Sequence, residues 1–489
     1  MKAANRPVTA AVVLAGLMVA SMLAGAGLAS CSALGIGGGR RVEELAKETY
    51  AEPVGEIYKV AGISEEPDMR VRVAVAVPAA TLDGPEAFWV GPVGERRYAE
   101  LLKGPIEVVL DEEAWTVKSG SGQPRVWPRS KDLELSPVTD KSGEAAWANL
   151  NGVRYTGSFR LLAPKPAPRT DLAAKETGEA ARVLGSGQPS GGAAKGRAGP
   201  VPFDVIEVIK LEEYLTGVVA KELYRDWSLQ TFKVQAIAAR SYALHERQRS
   251  IAAGRKYDVE ATTQDQAYGG ATLLPVAVRA VRETRGMILE HGGAVLRAYY
   301  SSTCGGRAAS ARDTWPIDRG YEFNLAAPIQ GKDRPHACEG SPLYRWKVER
   351  PKAELVKRLA AYGQRNGLLL RQIKDLARIE VLRTNDTGRP AEYKIVEPGG
   401  KWYALSAEQL RIACNADAPG APSITRQTRV NSGDLEFVVE GSTVTISGRG
   451  FGHGVGMCQY CARAMADRGE DIVAMLERFY PGARVVRAY

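Results

Sequence analysis

The alternation of apolar and polar positions predicts a β-rich first part of the chain. Residues 70–77, RVRVAVAV, alternate with the period of two that is typical of a half-buried strand. Short apolar runs, separated by turns rich in Pro, Gly and Asp, predict further strands at 87–90, 106–110, 115–118, 147–150 and 154–162.

From residue 211 onward, apolar positions recur at helical spacing. Leu211, Leu215 and Val218 predict a helix over 211–223, with Glu222 near its end. Similar patterns predict helices at 229–251, 276–284, 353–363, 459–468 and 471–479, and strands at 287–290, 294–300, 378–383, 393–396 and 436–446. Helices and strands mixed in this way indicate an α+β fold.

Residues 164–200 differ from the rest because they are rich in Ala, Gly, Pro, Ser and Lys. Such a segment cannot bury enough apolar surface to offset the entropy of ordering, so we expect a mobile loop. Strand-like runs at 153–163 and 202–211 flank it, which predicts a hairpin with a long insertion at its tip. The expected parts are a signal peptide (1–30), a tether (31–66), an N-terminal β-rich part (67–163), the low-complexity loop (164–200) and a core (201–489).

The first thirty residues predict a lipoprotein signal peptide. A basic start is followed by an apolar run at 10–28, and Leu-Ala-Ser-Cys at 28–31 resembles the bacterial lipobox. Cleavage would leave Cys31 as the lipidated N-terminus, and the remaining chain would face the cell wall from the periplasm or the cell surface. A transmembrane anchor is the alternative, but small residues dominate the apolar run.

Composition restricts the class of partner. Of the 489 residues, 45% are hydrophobic and 25% charged, which suffices for a sizeable core. The net charge of +9 is scattered rather than concentrated in a Lys/Arg block, which fits an anionic polymer or surface. Aromatic residues make up 7% and form no base-stacking platform, so a nucleic-acid partner is not expected.

Five cysteines follow Cys31, an odd number that leaves at least one thiol free or indicates a metal. They are Cys304, Cys338, Cys414, Cys458 and Cys461. An exported compartment permits disulfides, so we expect disulfides or inert thiols and no metal or other cofactor. A closed zinc site built from Cys304, His336, Cys338, Cys458 and Cys461 is the alternative.

Residues 447–462, SGRGFGHGVGMCQYCA, contain glycine at every second position up to 456. The alternation predicts an extended strand with one bare face, which another backbone or a ligand can approach closely. His453 would then line one wall of a cleft, or would be the surface histidine of a Gly-rich hairpin. The run has neither the GxGxxG register nor the Lys-Ser/Thr of a phosphate-binding loop.

Six segments of the chain resemble, in order, the motifs of the stage II sporulation protein D / LytB family: LEEYLTGVVAKE, KVQAIAARSYAL, ATTQDQAYGG, YYSSTCGGR, SPLYRW and GRGFGHGVGMCQY. The resemblance extends from about Val71 to Tyr489, with the core at 201–489, and implies similarity to this family, whose characterised members act on peptidoglycan. The sporulation members are lytic transglycosylases that cut glycan strands lacking stem peptides, and the LytB branch modifies cell-wall amidases. The resemblance therefore implies glycan strands as the substrate and a cell-wall amidase as a candidate partner.

The family's catalytic glutamate corresponds to Glu222. One carboxyl can protonate the glycosidic oxygen between MurNAc and GlcNAc and then, as a base, help the C6 hydroxyl to attack the anomeric carbon. The acid must stay protonated near neutral pH, which requires a dry environment. A hydrolase would need a second carboxylate, for which Asp265 is the candidate. The alternative for Glu222 is a solvated residue at a helix end.

Polar residues of the other motifs are the candidates for binding substrate: Arg240, Gln264, Asp265, Tyr268, Ser301, Ser302, His453 and Gln459. Each has a structural alternative. Arg240 with Gln235 would form a buried network, the loop residues would serve the turn itself, and His453 would make a structural hydrogen bond. No GxSxG elbow surrounds the serines, so they are not expected to act as nucleophiles.

Two departures from the family pattern concern metals. The zinc-binding cluster of some sporulation members lies near ATTQDQAY, which has no Cys or His here, so that site is not carried over. Cys458 and Cys461 stand where the family usually has Ser and Gly.

Taken together, the motifs and Glu222 lead us to expect a lytic transglycosylase. A non-catalytic glycan-binding modifier of an amidase is the alternative, and a zinc-dependent hydrolase ranks third.

Overall fold

The structure, a computed structural model, describes residues 63, 65–84, 87–120, 122–138, 147–164, 199–333 and 335–489. The predicted signal peptide with Cys31 lies outside these residues, as do nearly all of the predicted tether and loop. The fold is α+β, as predicted. The described residues separate into two compact units: residues 68–210 form one, and residues 211–489 with the short segment before Asp68 form the other. The five-part division inferred from the sequence stays a prediction.

The unit at 68–210 contains the strands β1 (Asp68–Val77), β2 (Ala79–Asp83), β3 (Ala87–Pro92), β4 (Glu100–Lys103), β5 (Ile106–Leu110), β6 (Ala114–Ser119), β7 (Arg125–Pro128), β8 (Leu133–Pro137), β9 (Ala148–Leu150), β10 (Val153–Tyr155), β11 (Ser158–Leu162) and β12 (Phe203–Lys210). They form two antiparallel sheets, ordered β1-β12-β11-β8-β3-β4 and β10-β9-β2-β5-β6-β7. Along β5 the side chains alternate, so that Ile106, Val108 and Leu110 are buried.

The two sheets meet through aromatic side chains. Trp115 of β6 and Phe203 of β12 pack edge to face, with their ring centroids 5.0 Å apart. Strands β11 and β12 pair antiparallel, from Ser158 opposite Val208 to Leu162 opposite Asp204. The strands on either side of the predicted loop are therefore hydrogen-bonded neighbours, which confirms the predicted hairpin.

The unit at 211–489 contains the helices α1 (Leu211–Glu222), α2 (Leu229–Ala252), α3 (Pro275–Glu283), α4 (Ala311–Thr314), α5 (Lys352–Arg365), α6 (Ala407–Cys414), α7 (Gln459–Asp467) and α8 (Ile472–Phe479). Its strands are β13 (Val259–Glu260), β14 (Met287–His291), β15 (Ala294–Val295), β16 (Tyr300–Ser301), β17 (Arg345–Pro351), β18 (Arg378–Thr384), β19 (Pro390–Val396), β20 (Trp402–Ser406), β21 (Leu435–Glu440), β22 (Thr443–Arg449), β23 (Met457–Cys458) and β24 (Arg484–Arg487). Among the described residues, no helix is both long enough and apolar enough to cross a membrane.

Helix α2 is the central element of this unit. It packs against α1, α3, α7, α8 and β14, so residues on all of its sides are buried and it has no amphipathic stripe. Ser228 caps its N-terminus, because the hydroxyl of Ser228 accepts the Thr231 N–H. A helix surrounded in this way must pair any polar side chain that it buries.

Residues 345–449 build a separate core within this unit. The sheets β17-β22-β21 and β18-β19-β20, with α5 and α6, enclose apolar side chains that include Leu359, Ile395, Leu410 and Val444. The sequence predicted one strand at 436–446, whereas the structure has the hairpin β21–β22. The chain turns at Gly441, whose φ of 56° suits glycine.

Candidate active site

The carboxyl of Glu222 is the centre of the candidate site. Glu222 is the last residue of α1 and is half-buried. Its Oε1 accepts the Ala267 backbone N–H at 3.0 Å, and its Oε2 accepts the Gln459 side-chain amide at 3.4 Å. The same Gln459 nitrogen lies 3.3 Å from Oε1 of Gln235 on α2. Donors from two distant segments therefore hold one carboxyl.

Burial and hydrogen bonding shift the pKa of Glu222 in opposite directions. Burial raises the pKa of this carboxyl to about 7, and the hydrogen bonds from Ala267 and Gln459 offset part of the rise. Because the pKa lies near neutral pH, both the acid and the carboxylate are populated there. The same two donors stabilise the carboxylate once the proton has left.

A glycine in α1 allows the loop at 261–270 to approach the helix. A Cβ at Gly217 would lie 2.3 Å from the Gly270 carbonyl oxygen and 2.6 Å from the ring of Tyr268. Tyr268 is buried, and its ring centroid lies 4.9 Å from that of Tyr214. The close contact at Gly217 therefore brings the Ala267 N–H to Glu222, and Tyr268 packs in the core rather than lining an open surface.

Gln266 holds the same loop on its buried side. Its side chain is buried, accepts the Tyr214 hydroxyl at 3.2 Å and donates to the Ala239 carbonyl at 3.1 Å and to the Tyr300 hydroxyl at 3.0 Å. The sequence motif pointed to Gln264, which lies exposed on the turn, and did not reveal the roles of Gln266 and Ala267. Two glutamines that flank one aspartate give no sign of which side chain faces inward.

Asp265 anchors the loop. Its Oδ1 accepts the Tyr242 hydroxyl at 3.0 Å, and its Oδ2 accepts the Glu260 N–H at 2.8 Å. Burial first, and the charge of Glu246 second, raise the pKa of Asp265 to about 6. Since both oxygens already accept hydrogen bonds from the protein, the placement favours a structural role over that of a second catalytic carboxylate.

Arg240 lies in the buried network that was the alternative to substrate binding. It is fully buried, and its Nε and Nη2 lie 2.9 and 2.6 Å from the two carboxylate oxygens of Glu212. Its Nη1 donates to the Met287 carbonyl at 3.0 Å. The prediction that Arg240 contacts glycan is corrected, because its donors face protein acceptors in the core.

The glycine run is not the extended strand that the sequence predicted. Strand β22 ends at Arg449, and then Gly450, Gly452, Gly454 and Gly456 all take positive φ, between 69° and 94°. Alternating glycine accommodates a left-handed backbone as readily as an extended one, so the pattern alone did not separate them.

The other part of this prediction, close backbone approach, is confirmed. A Cβ at Gly450 would lie 2.2 Å from the Thr303 carbonyl oxygen, and one at Gly456 would lie 2.0 Å from that of Tyr299. Strands β16 and β23 pair in parallel at this point, so the glycine run packs directly on the chain around Ser301.

His453 makes structural hydrogen bonds. Its Nδ1 accepts the Val455 N–H at 3.0 Å, so Nε2 carries the proton and donates to the Tyr300 carbonyl at 2.9 Å. Burial lowers the pKa of His453 to about 4, and the ring stays neutral at pH 7. The backbone hydrogen bonds of both ring nitrogens favour the structural alternative, but the half-buried ring also lines a cavity beside Asn385 and Glu408, so a glycan contact for His453 stays a prediction.

Tyr300 connects these two regions. Its carbonyl accepts from His453, while its hydroxyl meets Gln266 beneath the loop. Burial first, and the nearby Glu222 second, hold the pKa of the Tyr300 hydroxyl well above its usual range. His453 therefore braces the backbone of a residue that lies close to Glu222.

The two serines hydrogen-bond to the glycine run and to α7, whereas Gln459 hydrogen-bonds to Glu222. Ser301 is buried, and its Oγ accepts the Gly454 N–H at 3.2 Å. The carbonyl of Ser302 accepts the Tyr460 N–H at 3.1 Å, which joins this segment to the start of α7. Among the predicted binding residues, Gln459 has a direct hydrogen bond to Glu222.

An aromatic cluster beside Glu222 was missed by sequence reasoning. The ring centroid of Trp227 lies 5.4 Å from that of Tyr224 and 5.1 Å from that of Tyr460. Tyr224 is 58% exposed, whereas the other two rings are buried. An exposed ring near a carboxyl is a surface on which a sugar can stack. The sequence did contain a signal for this cluster, because Tyr224 lies two residues after Glu222 and Tyr460 directly follows Gln459.

Comparison with known proteins agrees with the sequence motifs. Residues 202–291 match the family model described as Stage II sporulation protein, and residues 322–456 match a domain of unknown function, DUF8618. The resemblance to this family that the sequence motifs indicated is confirmed.

Three curated relatives have similar levels of identity. An uncharacterised protein of Brachyspira hyodysenteriae is 27% identical over 283 residues, which cover 58% of this chain and 68% of that protein. The amidase enhancer of Bacillus subtilis is 27% identical over 290 residues, 55% of this chain and 39% of the enhancer. Stage II sporulation protein D of Bacillus subtilis is 26% identical over 322 residues, 61% of this chain and 83% of that protein.

Proposed function

Since residues 202–291 match the stage II sporulation protein family, we propose that this protein is a cell-wall lytic transglycosylase that cleaves the bond between MurNAc and GlcNAc. One observation carries the proposal: the half-buried carboxyl of Glu222, with a pKa near 7, is held by the Ala267 N–H and the Gln459 amide. A lytic transglycosylase needs such a carboxyl, because one group must act as acid and then as base.

In the first step, protonated Glu222 donates its proton to the glycosidic oxygen. The bond from that oxygen to the anomeric carbon of MurNAc then breaks, and positive charge develops on the sugar ring. The carboxylate left behind is stabilised by its two hydrogen-bond donors, which are already in place before the proton moves.

In the second step, the Glu222 carboxylate takes the proton of the muramic C6 hydroxyl. The C6 oxygen attacks the anomeric carbon, and a 1,6-anhydro end forms. Glu222 returns to its protonated state and no water is consumed. This route needs no second carboxylate, in agreement with the structural role of Asp265.

The surface near Glu222 suits a sugar polymer. The exposed Tyr224 ring, supported by Trp227 and Tyr460, offers an apolar face for a pyranose ring. The exposed Gln264 on the neighbouring loop adds a polar side chain. We infer glycan strands as the substrate.

The proposal is tested by incubating purified glycan strands with the full-length protein and with Glu222→Gln, and by measuring anhydro-muramic ends by mass spectrometry. We expect the wild type to form them and Glu222→Gln to lose at least about 100-fold of the activity. Glu213→Gln, an exposed change on the same helix, is the matched control and should keep full activity. Equal product from wild type and Glu222→Gln removes the catalytic assignment.

A non-catalytic role is the second candidate, because one relative is named an amidase enhancer. In that role the site would bind glycan and stimulate a cell-wall amidase. Adding the protein to an amidase with intact peptidoglycan separates the two candidates. Stimulation that is unchanged in Glu222→Gln, with no anhydro ends from either protein, would favour the enhancer role.

The proposed location follows from the first residues. Lipidation of Cys31 would attach the chain to a membrane surface, with its core facing the cell wall. A membrane-tethered enzyme would then act on the glycan strands within its reach.

A further inference from the structure

Four buried cysteines from three segments of the chain meet at one point. The Sγ atoms of Cys304, Cys338, Cys458 and Cys461 all lie within 4.8 Å of one another. Cys304 follows β16, Cys338 lies in the irregular stretch before β17, and the other two flank the start of α7. The sequence left a closed zinc site open as the alternative to disulfides, and the fold brings together these segments, which are up to 157 residues apart.

The spacing of the sulfurs fits a tetrahedral ion. A zinc ion with four Zn–S bonds of about 2.3 Å places its sulfurs about 3.8 Å apart. The Cys304 Sγ lies 3.6 Å from the Cys338 Sγ and 4.0 Å from the Cys461 Sγ. A disulfide would join sulfurs at about 2.05 Å and only in pairs, whereas here each thiol faces the three others.

Backbone donors point at two of the sulfurs. The Cys304 N–H donates to the Cys458 Sγ at 3.3 Å, and the Ala337 N–H donates to the Cys461 Sγ at 3.4 Å. Such N–H···S bonds stabilise thiolates and orient them, as the groups around a bound metal do. His336 adds a further polar neighbour, because its Nδ1 lies 3.2 Å from the Cys304 Sγ.

The surroundings also favour a charged site. Four thiolates with Zn²⁺ carry a net charge of about −2, which needs a compensating cation when it is buried. The Arg389 guanidinium is buried beside the site and donates to the Cys304 carbonyl at 3.0 Å.

We propose that Cys304, Cys338, Cys458 and Cys461 bind one structural zinc ion. Binding releases the thiol protons and leaves every oxidation state unchanged. The four protein ligands fill a tetrahedral shell, so the ion has no open position for a substrate. This replaces our sequence-based expectation of disulfides or inert thiols.

The ion would also position the candidate active site. Gln459 and Tyr460 lie between the ligands Cys458 and Cys461, and Gln459 reaches Glu222. Fixing the first turn of α7 therefore fixes a donor to the carboxyl. This positioning role rests on the proposed function, whereas the metal site itself does not.

Metal analysis of the full-length protein, purified without chelators, tests the site directly. We expect about one zinc per chain by inductively coupled plasma mass spectrometry. Less than about 0.1 zinc per chain, together with thiols that resist alkylation until they are reduced, would show disulfides and overturn the proposal.

Variants and cobalt define the ligands. Cys461→Ser is expected to lose the zinc, whereas Cys414→Ser, which changes a cysteine in the separate core at 345–449, is expected to retain it. Cobalt exchanged into the wild type should give the thiolate charge-transfer and visible bands of a tetrahedral sulfur site. Should Cys461→Ser fail to fold, the cobalt spectrum decides, and its absence contradicts the site.

Metal content and activity are separate readouts. A stoichiometric zinc in a protein that makes no anhydro ends would leave the metal site standing and remove the proposed enzyme. Anhydro ends made by a protein without zinc would remove the metal site and leave the proposed enzyme standing.

Discussion

At the residue scale, Glu222 combines a half-buried position with two hydrogen-bond donors. Burial alone would raise the pKa of the carboxyl further and make the protonated group a poorer proton donor in the first step. The Ala267 and Gln459 donors limit the rise in its pKa to about 7, where proton loss and gain are both accessible. The residue is therefore suited to acid and base steps in turn.

The pH dependence of cleavage should follow this carboxyl. The first step needs protonated Glu222, so kcat/KM should fall about tenfold per pH unit above pH 7. Initial rates of anhydro-end formation between pH 5 and 9 would measure this limb, with protein stability monitored in parallel. A rate that stays constant from pH 7 to 9 would show that another group supplies the proton.

The stability of the fold should titrate with the same group. The folded pKa of about 7 lies above the ordinary 4.5, so the stabilising contribution of the protonated carboxyl is complete below pH 4.5 and is lost as the pH rises through 7. Glu222→Gln lacks this titration. Its free energy of unfolding relative to wild type should therefore rise by about 2–3 kcal/mol between pH 4.5 and 8. Denaturant unfolding at both pH values measures the change, and a difference independent of pH would contradict the raised pKa.

Single residues show what a motif does and does not predict. The motifs located Glu222 and Gln459, whose side chains are hydrogen-bonded in the structure. They did not reveal that Arg240 and His453 face protein partners, because a polar residue in a motif can serve substrate or scaffold equally. Only the three-dimensional partners of each donor decide between the two.

At the element scale, the contact between α1 and the loop at 261–270 builds the site. The contact depends on the missing side chain at Gly217. Gly217→Ala should push the loop away, weaken the Ala267 hydrogen bond to Glu222, and destabilise the fold by about 1–3 kcal/mol. Thermal unfolding and the cleavage assay measure both effects.

Gly269→Ala in the same loop is the matched control. Its added Cβ would meet only the Lys221 side chain at 3.5 Å, so stability and activity should stay near wild type. If Gly217→Ala is as harmless as this control, the loop is not held by that contact.

Periodicity predicted elements better than it predicted backbone conformation. The helix predicted over 211–223 is observed as α1, and the one predicted over 229–251 is observed as α2. The strand predicted at 106–110 has the same bounds in the structure. The glycine run was assigned the wrong conformation, because glycine alternation carries no side-chain period that separates extended from left-handed backbone.

At the whole-molecule scale, the chain brings together residues from sequence positions far apart. Glu222 and Gln459 are 237 positions apart, yet they share a hydrogen bond. The four buried cysteines are similarly dispersed. Composition and spacing predicted an α+β fold, but such long-range pairs follow from topology that the sequence pattern does not contain.

The proposed membrane anchor makes a prediction about the whole molecule. Cys31→Ser should shift the protein from the membrane fraction to the soluble fraction and abolish metabolic labelling with a fatty-acid analogue. Cys414→Ser keeps the lipobox and should remain labelled. Wild-type protein that takes up no label would contradict the lipoprotein assignment.

The origin of the new chain end tests the central claim most directly. Glycan strands are digested in water labelled with heavy oxygen, and the products are analysed by mass spectrometry. The account predicts 1,6-anhydro ends that contain no heavy oxygen, formed by the wild type and not by Glu222→Gln. Reducing ends that carry the label, or the same anhydro products from both proteins, would contradict it.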